Sequence, residues 1–329
     1  MPYVIGTDEA GYGPNLGPLC VGATVWEIDD GIDPQALYKP LKHCVSNSVN
    51  RAGKKRVVWA DSKAVYKSGC GMDHLERGVL TALSLAGHSP TAWTDLWNCL
   101  GTAFGDGSDQ QPWHDGYSAM LPLWMGEEED GPTWMSGAAI EELSDGLRAS
   151  LATAGVRFVG VLCRAVFPGA FNEMVAASNK ADALSRITLG LVADALAMIP
   201  GQRAQVFCDK HGGRDYYLPL LQTQFCDDWI QVRQESETAS QYRFGGEAKR
   251  VDIGFYVGGE RFLPVALASM TAKYLRETAM RPFNEFWCRH VPGIKPTAGY
   301  PTDSWRFKKQ IAEAQRELAI DDRVLWRKR

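Results

Sequence analysis

Residues 3–25 read YVIGTDEAGYGPNLGPLCVGATV. The apolar run Tyr3 to Ile5 predicts a strand, and two adjacent carboxylates, Asp8 and Glu9, come where that strand should end. Side chains alternate along a strand, so the two acids leave the backbone in different directions. They serve one site only if that site lies at the strand's end. A turn rich in Gly and Pro follows, then a β-rich run from Val21 to Trp26. Glycine admits positive φ and the close approach of a ligand. Two acids before an open glycine turn fit a cradle for a divalent metal and a phosphate. They equally fit a surface hairpin carrying two solvated acids.

The chain has 329 residues, enough for one large domain or two small ones. Hydrophobic residues make up 45% and charged residues 22%, an ordinary balance for a soluble globular protein. No apolar run approaches the roughly 18 residues that span a bilayer. No basic-then-apolar start marks a signal peptide. Eight Cys are scattered with no CxxC pair, which predicts buried free thiols in a reducing cytoplasm rather than disulfides or zinc. The formal net charge is −4, a mild argument against nucleic-acid binding. A metal site concentrates acids, however, and a local basic track can coexist with an acidic total. Candidate tracks are residues 51–56 (RAGKKR) and the tail 326–329 (WRKR), the tail reading as a solvated, fraying end.

Val57 to Trp59 predicts a short strand, followed by Asp61-Ser62-Lys63, an ordinary helix start with Asp61 or Ser62 as cap. His74 to Leu85 predicts a helix. Residues 69–134 hold five Trp, the run Gly105–Asp109 and the acidic run Glu127–Asp130, with poor periodicity. They read as an insertion packed by its aromatics, although Trp beside Gly also suits base stacking. Ser136 to Ala154 and Asn179 to Met198 are amphipathic helices by spacing, and Val156 to Cys163 is a buried-type strand between them. Gln205 to Asp209 is a strand that again ends in a carboxylate. It enters a loop of Gly and basic residues, which suits a metal ligand beside a phosphate. His211 in that loop has no partner at metal spacing and reads as hydrogen-bonded or exposed. Trp229–Val232, Tyr242–Phe244 and Val251–Val257 predict a small antiparallel set. Gly258-Gly259-Glu260 then precedes a helix, Leu263 to Glu277, whose Ala266, Ala268 and Ser269 allow close approach to a sheet. Asp303 to Leu318 predicts a last helix.

DEAGYGPNLGP at residues 8–18 resembles the first motif of the type 2 ribonucleases H, ribonuclease HII and ribonuclease HIII. Asp61-Ser62-Lys63 resembles the DSK element that follows it in that family. Asn179-Lys180-Ala181 resembles the start of the family's asparagine-led helix. Ala268-Ser269-Met270-Thr271-Ala272-Lys273 resembles its ASIxAK helix, and Gly299-Tyr300-Pro301-Thr302 its KGYxT motif. The resemblance implies an α/β, ribonuclease H-like fold with a central mixed β-sheet flanked by helices. It implies one catalytic domain over residues 1–329, an insertion at about 69–134 and a C-terminal helical segment at about 283–329. It makes Asp209 the third acid. Glu260 becomes the fourth, one residue closer to Ser269 than the family spacing, with Asp252 as runner-up. The first motif begins almost at Met1, so the N-terminal extension of ribonuclease HIII is expected to be absent.

Four converging acids, Asp8, Glu9, Asp209 and Glu260, would repel one another unless cations neutralise them. The expectation is two Mg²⁺ or Mn²⁺ ions, one activating a water and the other stabilising the leaving 3′ oxygen. By resemblance the substrate is the RNA strand of an RNA/DNA hybrid, cut to leave 5′-phosphate ends. Gly11, Tyr12 and Gly13 would read the 2′-hydroxyl across the shallow minor groove, with Lys63 and Tyr300 also on the substrate. Tyr12 stands where ribonuclease HII has Arg, which favours longer hybrids over a single embedded ribonucleotide. No obligate protein partner is evident, and a monomer is expected. Two alternatives stay open. One is a nucleic-acid-binding relative that has lost turnover, and the other is a metal-dependent phosphoesterase with a different nucleic-acid substrate.

Overall fold

The computed structural model describes residues 2–52, 56–66, 71–100, 102–103, 111–123 and 136–328. Lys54, Lys55, Cys70, Trp124, Trp134, Arg329 and the runs Gly105–Asp109 and Glu127–Asp130 lie outside the described residues. The first half runs β1 (Tyr3–Ala10), β2 (Leu19–Ile28), β3 (Val45–Ser46), α1 (Val49–Ala52), β4 (Val57–Val58), α2 (Ser62–Val65) and α3 (Asp73–Leu85). It continues through α4 (Trp93–Leu100), β5 (Thr102–Ala103), α5 (Gly137–Thr153), β6 (Val156–Val166), α6 (Pro168–Ala177) and α7 (Lys180–Ala197). Then come β7 (Ala204–Asp209), α8 (Leu218–Gln224), β8 (Gln231–Glu235), β9 (Ala239–Phe244) and β10 (Val251–Tyr256). The chain closes with α9 (Leu263–His290), α10 (Pro301–Glu317) and α11 (Asp322–Leu325).

The sheet is mixed, in the order β5-β6-β2-β1-β7-β10-β9-β8. β2 is antiparallel to both β1 and β6, whereas β1, β7 and β10 run parallel. Parallel neighbours need crossovers, and helices supply them. Side-chain alternation on β1 divides the core between two faces. Val4 packs with residues of α3, α5 and α9, and the next residue, Ile5, packs with α7 and α8 on the other face. The architecture is therefore the α/β one expected, a central mixed sheet flanked by helices.

Three expectations change. β8, β9 and β10 are not a separate antiparallel set, because β10 also pairs in parallel with β7 and extends the central sheet. The helix predicted over Leu263 to Glu277 continues to His290, so residue 283 falls inside α9. The helix predicted from Asp303 is α10 and starts at Pro301, whose missing N–H is tolerated in a first turn. Within residues 69–134, Trp93 and Trp113 are buried. Trp93 and Trp97 pack with His114, and Trp113 packs edge-on against Phe283. These indoles are core, not a base-stacking surface.

The start of α9 lies almost on the backbone of β1 and β2. A Cβ at Gly6 would stand 2.2 Å from the Pro264 carbonyl carbon, and one at Gly22 would stand 2.5 Å from Ala268 O. Thr24 Oγ1 donates to Pro264 O at 2.8 Å. Only glycine leaves room for this approach, and it fixes where Ser269 and Glu260 fall. Among the described residues, no helix is long and apolar enough to cross a membrane.

Candidate metal and nucleic-acid site

β1 pairs with β7 only as far as Thr7 opposite Cys208. The next residues along the two strands are Asp8 and Asp209, at the same end of the sheet. Asp8 and Glu9 stay paired to β2, opposite Gly22 and Val21. The acids thus sit in the last three residues of β1, not beyond its end. Gly258 adopts left-handed φ (64°), and Gly259 packs on Asp209, where an added Cβ would come within 3.0 Å of its Cα. This glycine pair lets the Gly259 N–H donate to Asp209 Oδ1 at 2.8 Å and carries Glu260 to the same sheet end. From α2, Lys63 reaches Glu260, with Nζ 3.8 Å from Oε1. Ser269 donates to Ser62 Oγ at 3.0 Å, so α2 and α9 meet beside Asp8.

The four acids share one electrostatic field. Burial first, then the charges of Glu9 and Asp209, push Asp8 well above the usual carboxylate range, against the pull of the Ser269 hydroxyl. Burial, then Asp209, push Glu9 up to about 7. Burial also pushes Asp209 up to about 6; the Gly259 N–H opposes this and Glu260 adds to it. For Lys63, the little burial it has lowers its pKa, but Glu260, Asp8, Asp61 and Asp209 outweigh that and raise it.

The donor set is all carboxylate, the hard-oxygen chemistry that Mg²⁺ and Mn²⁺ take. Glu9 Oε2 is buried with no hydrogen-bond partner among the described residues, as suits an atom that meets a cation. Charge and chemistry therefore fit. Geometry fits less closely: among the described residues, no three His, Cys, Asp or Glu side chains converge on one ion position. Asp252 stands apart. It lies four residues back along β10 from the Tyr256–Asp209 pair and is held by Arg243 (2.6 Å) and Arg250 (3.0 Å).

The basic residues after Asp209 are engaged within the protein. Lys210 is buried and donates to Asp215, Ser236 O and Glu237 O, and Arg214 pairs with Asp182. An open cleft of about 460 Å³ runs past Asp209, Lys210, Gly213 and Gly258. His211 is hydrogen-bonded as expected, with Nδ1 2.9 Å from Ser185 Oγ. Burial, then Arg214, lower it to about 3, so it is neutral.

The glycine turn is framed on every side. The Tyr300 ring lies over Gly13, 3.7 Å from where a Cβ would be, and remains 44% exposed. The Tyr12 ring sits under Lys180 Nζ (4.4 Å) and beside Gly212. Two buried arginines lie behind the turn. Arg276 donates to Pro18 O (2.7 Å), Leu16 O and Ala298 O, and Arg327 donates to Gly11 O and Pro14 O (2.6 Å each). As far as Lys328 the tail is therefore not a fraying end, because its Arg327 is 1% exposed. Arg276 could have been found in the sequence, seven residues and two turns from Ser269 on one helix face. Arg327 carries no such signal.

No family model matches the chain, and no curated protein does. Solved structures do resemble it. One is ribonuclease HII of Archaeoglobus fulgidus in a complex with PCNA, with TM-score 0.40, 15% identity, and 99% of this chain and 94% of that one covered. Another is ribonuclease H2 from Pyrococcus horikoshii OT3, with TM-score 0.40, 13% identity and 98% and 92% coverage. A third, Bst-RNase HIII in complex with Mn²⁺, gives TM-score 0.45, 15% identity and 99% and 66% coverage.

Proposed function

We propose that this chain is a metal-dependent endoribonuclease that hydrolyses the RNA strand of RNA/DNA hybrids. The observation that carries the reading is the mutual charge of Asp8, Glu9, Asp209 and Glu260, which come from three separate motifs to one sheet end. Two Mg²⁺ or Mn²⁺ ions held by these carboxylates would supply a more acidic attacking water and positive charge at the leaving 3′ oxygen. The residues themselves do the rest. Asp8 is buried, whereas Glu9, Asp209 and Glu260 are half-buried and leave the site open to substrate and water. Gly11, Tyr12 and Gly13 present backbone to the RNA strand, Tyr300 offers a half-exposed ring beside them, and Lys63 offers a charge for a phosphate. The products would be 5′-phosphate and 3′-hydroxyl ends. Seven free thiols among the described residues suit a cytoplasmic enzyme, which we take to act as a monomer.

A second reading has one observation in its favour. The acids do not converge on a single ion position, as in a relative that binds nucleic acid without turnover. One experiment separates the two. The protein is incubated with Mg²⁺ or Mn²⁺ and a labelled hybrid, a duplex with one embedded ribonucleotide, and single-stranded RNA. Cutting of the hybrid that Asp8→Asn abolishes supports the enzyme. Tight hybrid binding with no cutting by the wild type sinks it in favour of the second reading.

A further inference from the structure

The two arginines behind the glycine turn raise a question that the four acids do not answer. Burying a guanidinium away from carboxylates is costly. Burial, then the neighbouring Arg276 charge, lower Arg327 to about 9. Nε and Nη1 of Arg327 have no hydrogen-bond partner among the described residues, and its Cζ lies 5.0 Å over the Phe171 ring. Nη2 alone holds two carbonyls, those of Gly11 and Pro14.

The residues around Arg327 are anchored for this contact. The Arg327 N–H donates to Asn15 O (2.8 Å), Asn15 Nδ2 donates back to Arg327 O (3.3 Å), and Leu16 bridges Trp326. From α6, Asn172 donates to Trp326 O (2.8 Å) and accepts from Lys328 N (2.7 Å). The Pro14–Asn15 peptide is clamped at both edges, because its carbonyl meets Arg327 and its N–H donates to Gly299 O (2.8 Å). In a trans peptide the carbonyl and N–H point in opposite directions. The Gly11 carbonyl points inward to Arg327, so the Tyr12 N–H of the same peptide points the other way. Positive φ at Gly11 (86°) makes this orientation available.

We propose that Arg327 is a positioning residue: by holding the Gly11 carbonyl it fixes the Tyr12 N–H as a donor to an oxygen of the bound nucleic-acid strand. The proposal rests on the nuclease reading for its ligand, but not for its effect on the turn.

The test uses Arg327→Met, which keeps bulk and removes the fork, and Arg327→Lys, which keeps charge without it. Asn172→Ala loosens the same tail from α6 and serves if Arg327→Met does not fold. Two quantities are read on the full chain: the backbone amide resonances of Tyr12 and Gly13, with those of β7 as the internal control, and hybrid cleavage kinetics. In Arg327→Met, the Tyr12 amide resonance should shift and broaden as the Gly11–Tyr12 peptide gains freedom, and KM should rise about tenfold, with kcat changed less than about threefold, the scale of one hydrogen bond. Arg327→Lys should restore only part of each. An unchanged Tyr12 resonance in a folded variant overturns the proposal even if the wild type cuts nothing. A shifted Tyr12 resonance with unchanged KM overturns the positioning role. If the wild type binds hybrid without cutting it, the nuclease reading fails, and the hybrid's Kd replaces KM in the same comparison.

Discussion

The Gly259 N–H donates to the Asp209 carboxylate at 2.8 Å, tying the end of β7 to the turn that carries Glu260. An asparagine at position 209 keeps an acceptor for this bond but removes the charge. Asp209→Asn should therefore fold and melt at or above the wild-type temperature, because like-charge repulsion with Glu260 is relieved. Hybrid cleavage should fall by roughly three orders of magnitude, the several kcal/mol that metal charge contributes to such a step. Calorimetry and single-turnover cleavage on one preparation check both halves. Full activity in Asp209→Asn would remove it from the metal site.

The raised carboxyls predict how metal-free protein responds to pH. Glu9 sits near 7 when folded and Asp209 near 6, both above their ordinary values. Between the unfolded and folded pKa values the folded state binds more protons, so stability falls as pH rises. The window runs from about pH 4 to about pH 7, and the Glu9 contribution is a few kcal/mol at most. In EDTA, the melting temperature of wild type relative to Glu9→Gln should fall across that window. Mn²⁺ should flatten the difference by pairing with the charge. A difference that rises with pH contradicts the buried, repelling cluster.

The local order of residues made much of this site legible. Short apolar runs before Asp8 and Glu9, or before Asp209, mark strands whose ends carry charge. The small residues Ala266, Ala268 and Ser269 mark a helix that can lie close to a sheet. What stayed hidden depends on long-range backbone contacts. The fit of Gly6 and Gly22 under α9 is a relation between chain segments, and no periodicity reports it. Arg327 acts on carbonyls, which every residue has, so its partners leave no trace in side-chain identity. The parallel pairing of β10 with β7 likewise follows from register, and a run such as Val251 to Tyr256 fits either a hairpin or a central strand.

Lys63 is an exposed charge beside the acids. Its side chain is 84% exposed, and its pair with Glu260 spans 3.8 Å, so it adds under about 1 kcal/mol to stability. Lys63→Met should leave the urea midpoint nearly unchanged. If Lys63 meets a phosphate, the salt dependence of hybrid binding should lose about one unit of slope. Metal affinity should rise a few-fold, because the competing ammonium is gone. Anisotropy titrations at several KCl concentrations read the slope. An unchanged slope would confine Lys63 to balancing Glu260.

Gly6 governs the site from beneath. A methyl there would stand 2.2 Å from the Pro264 carbonyl carbon, which is backbone and cannot turn aside. Gly6→Ala must push the start of α9 away from β1, at about 1–3 kcal/mol or more of stability for overpacking. The displacement carries Ser269 away from Asp8 and Ser62, and Glu260 away from Asp209. Cleavage should therefore fall by more than the loss of folded protein explains. Urea unfolding gives the first quantity, and activity per folded molecule at a temperature well below the melting point gives the second. A Gly6→Ala protein as stable and active as wild type would mean that α9 does not need contact this close to hold the acids in place.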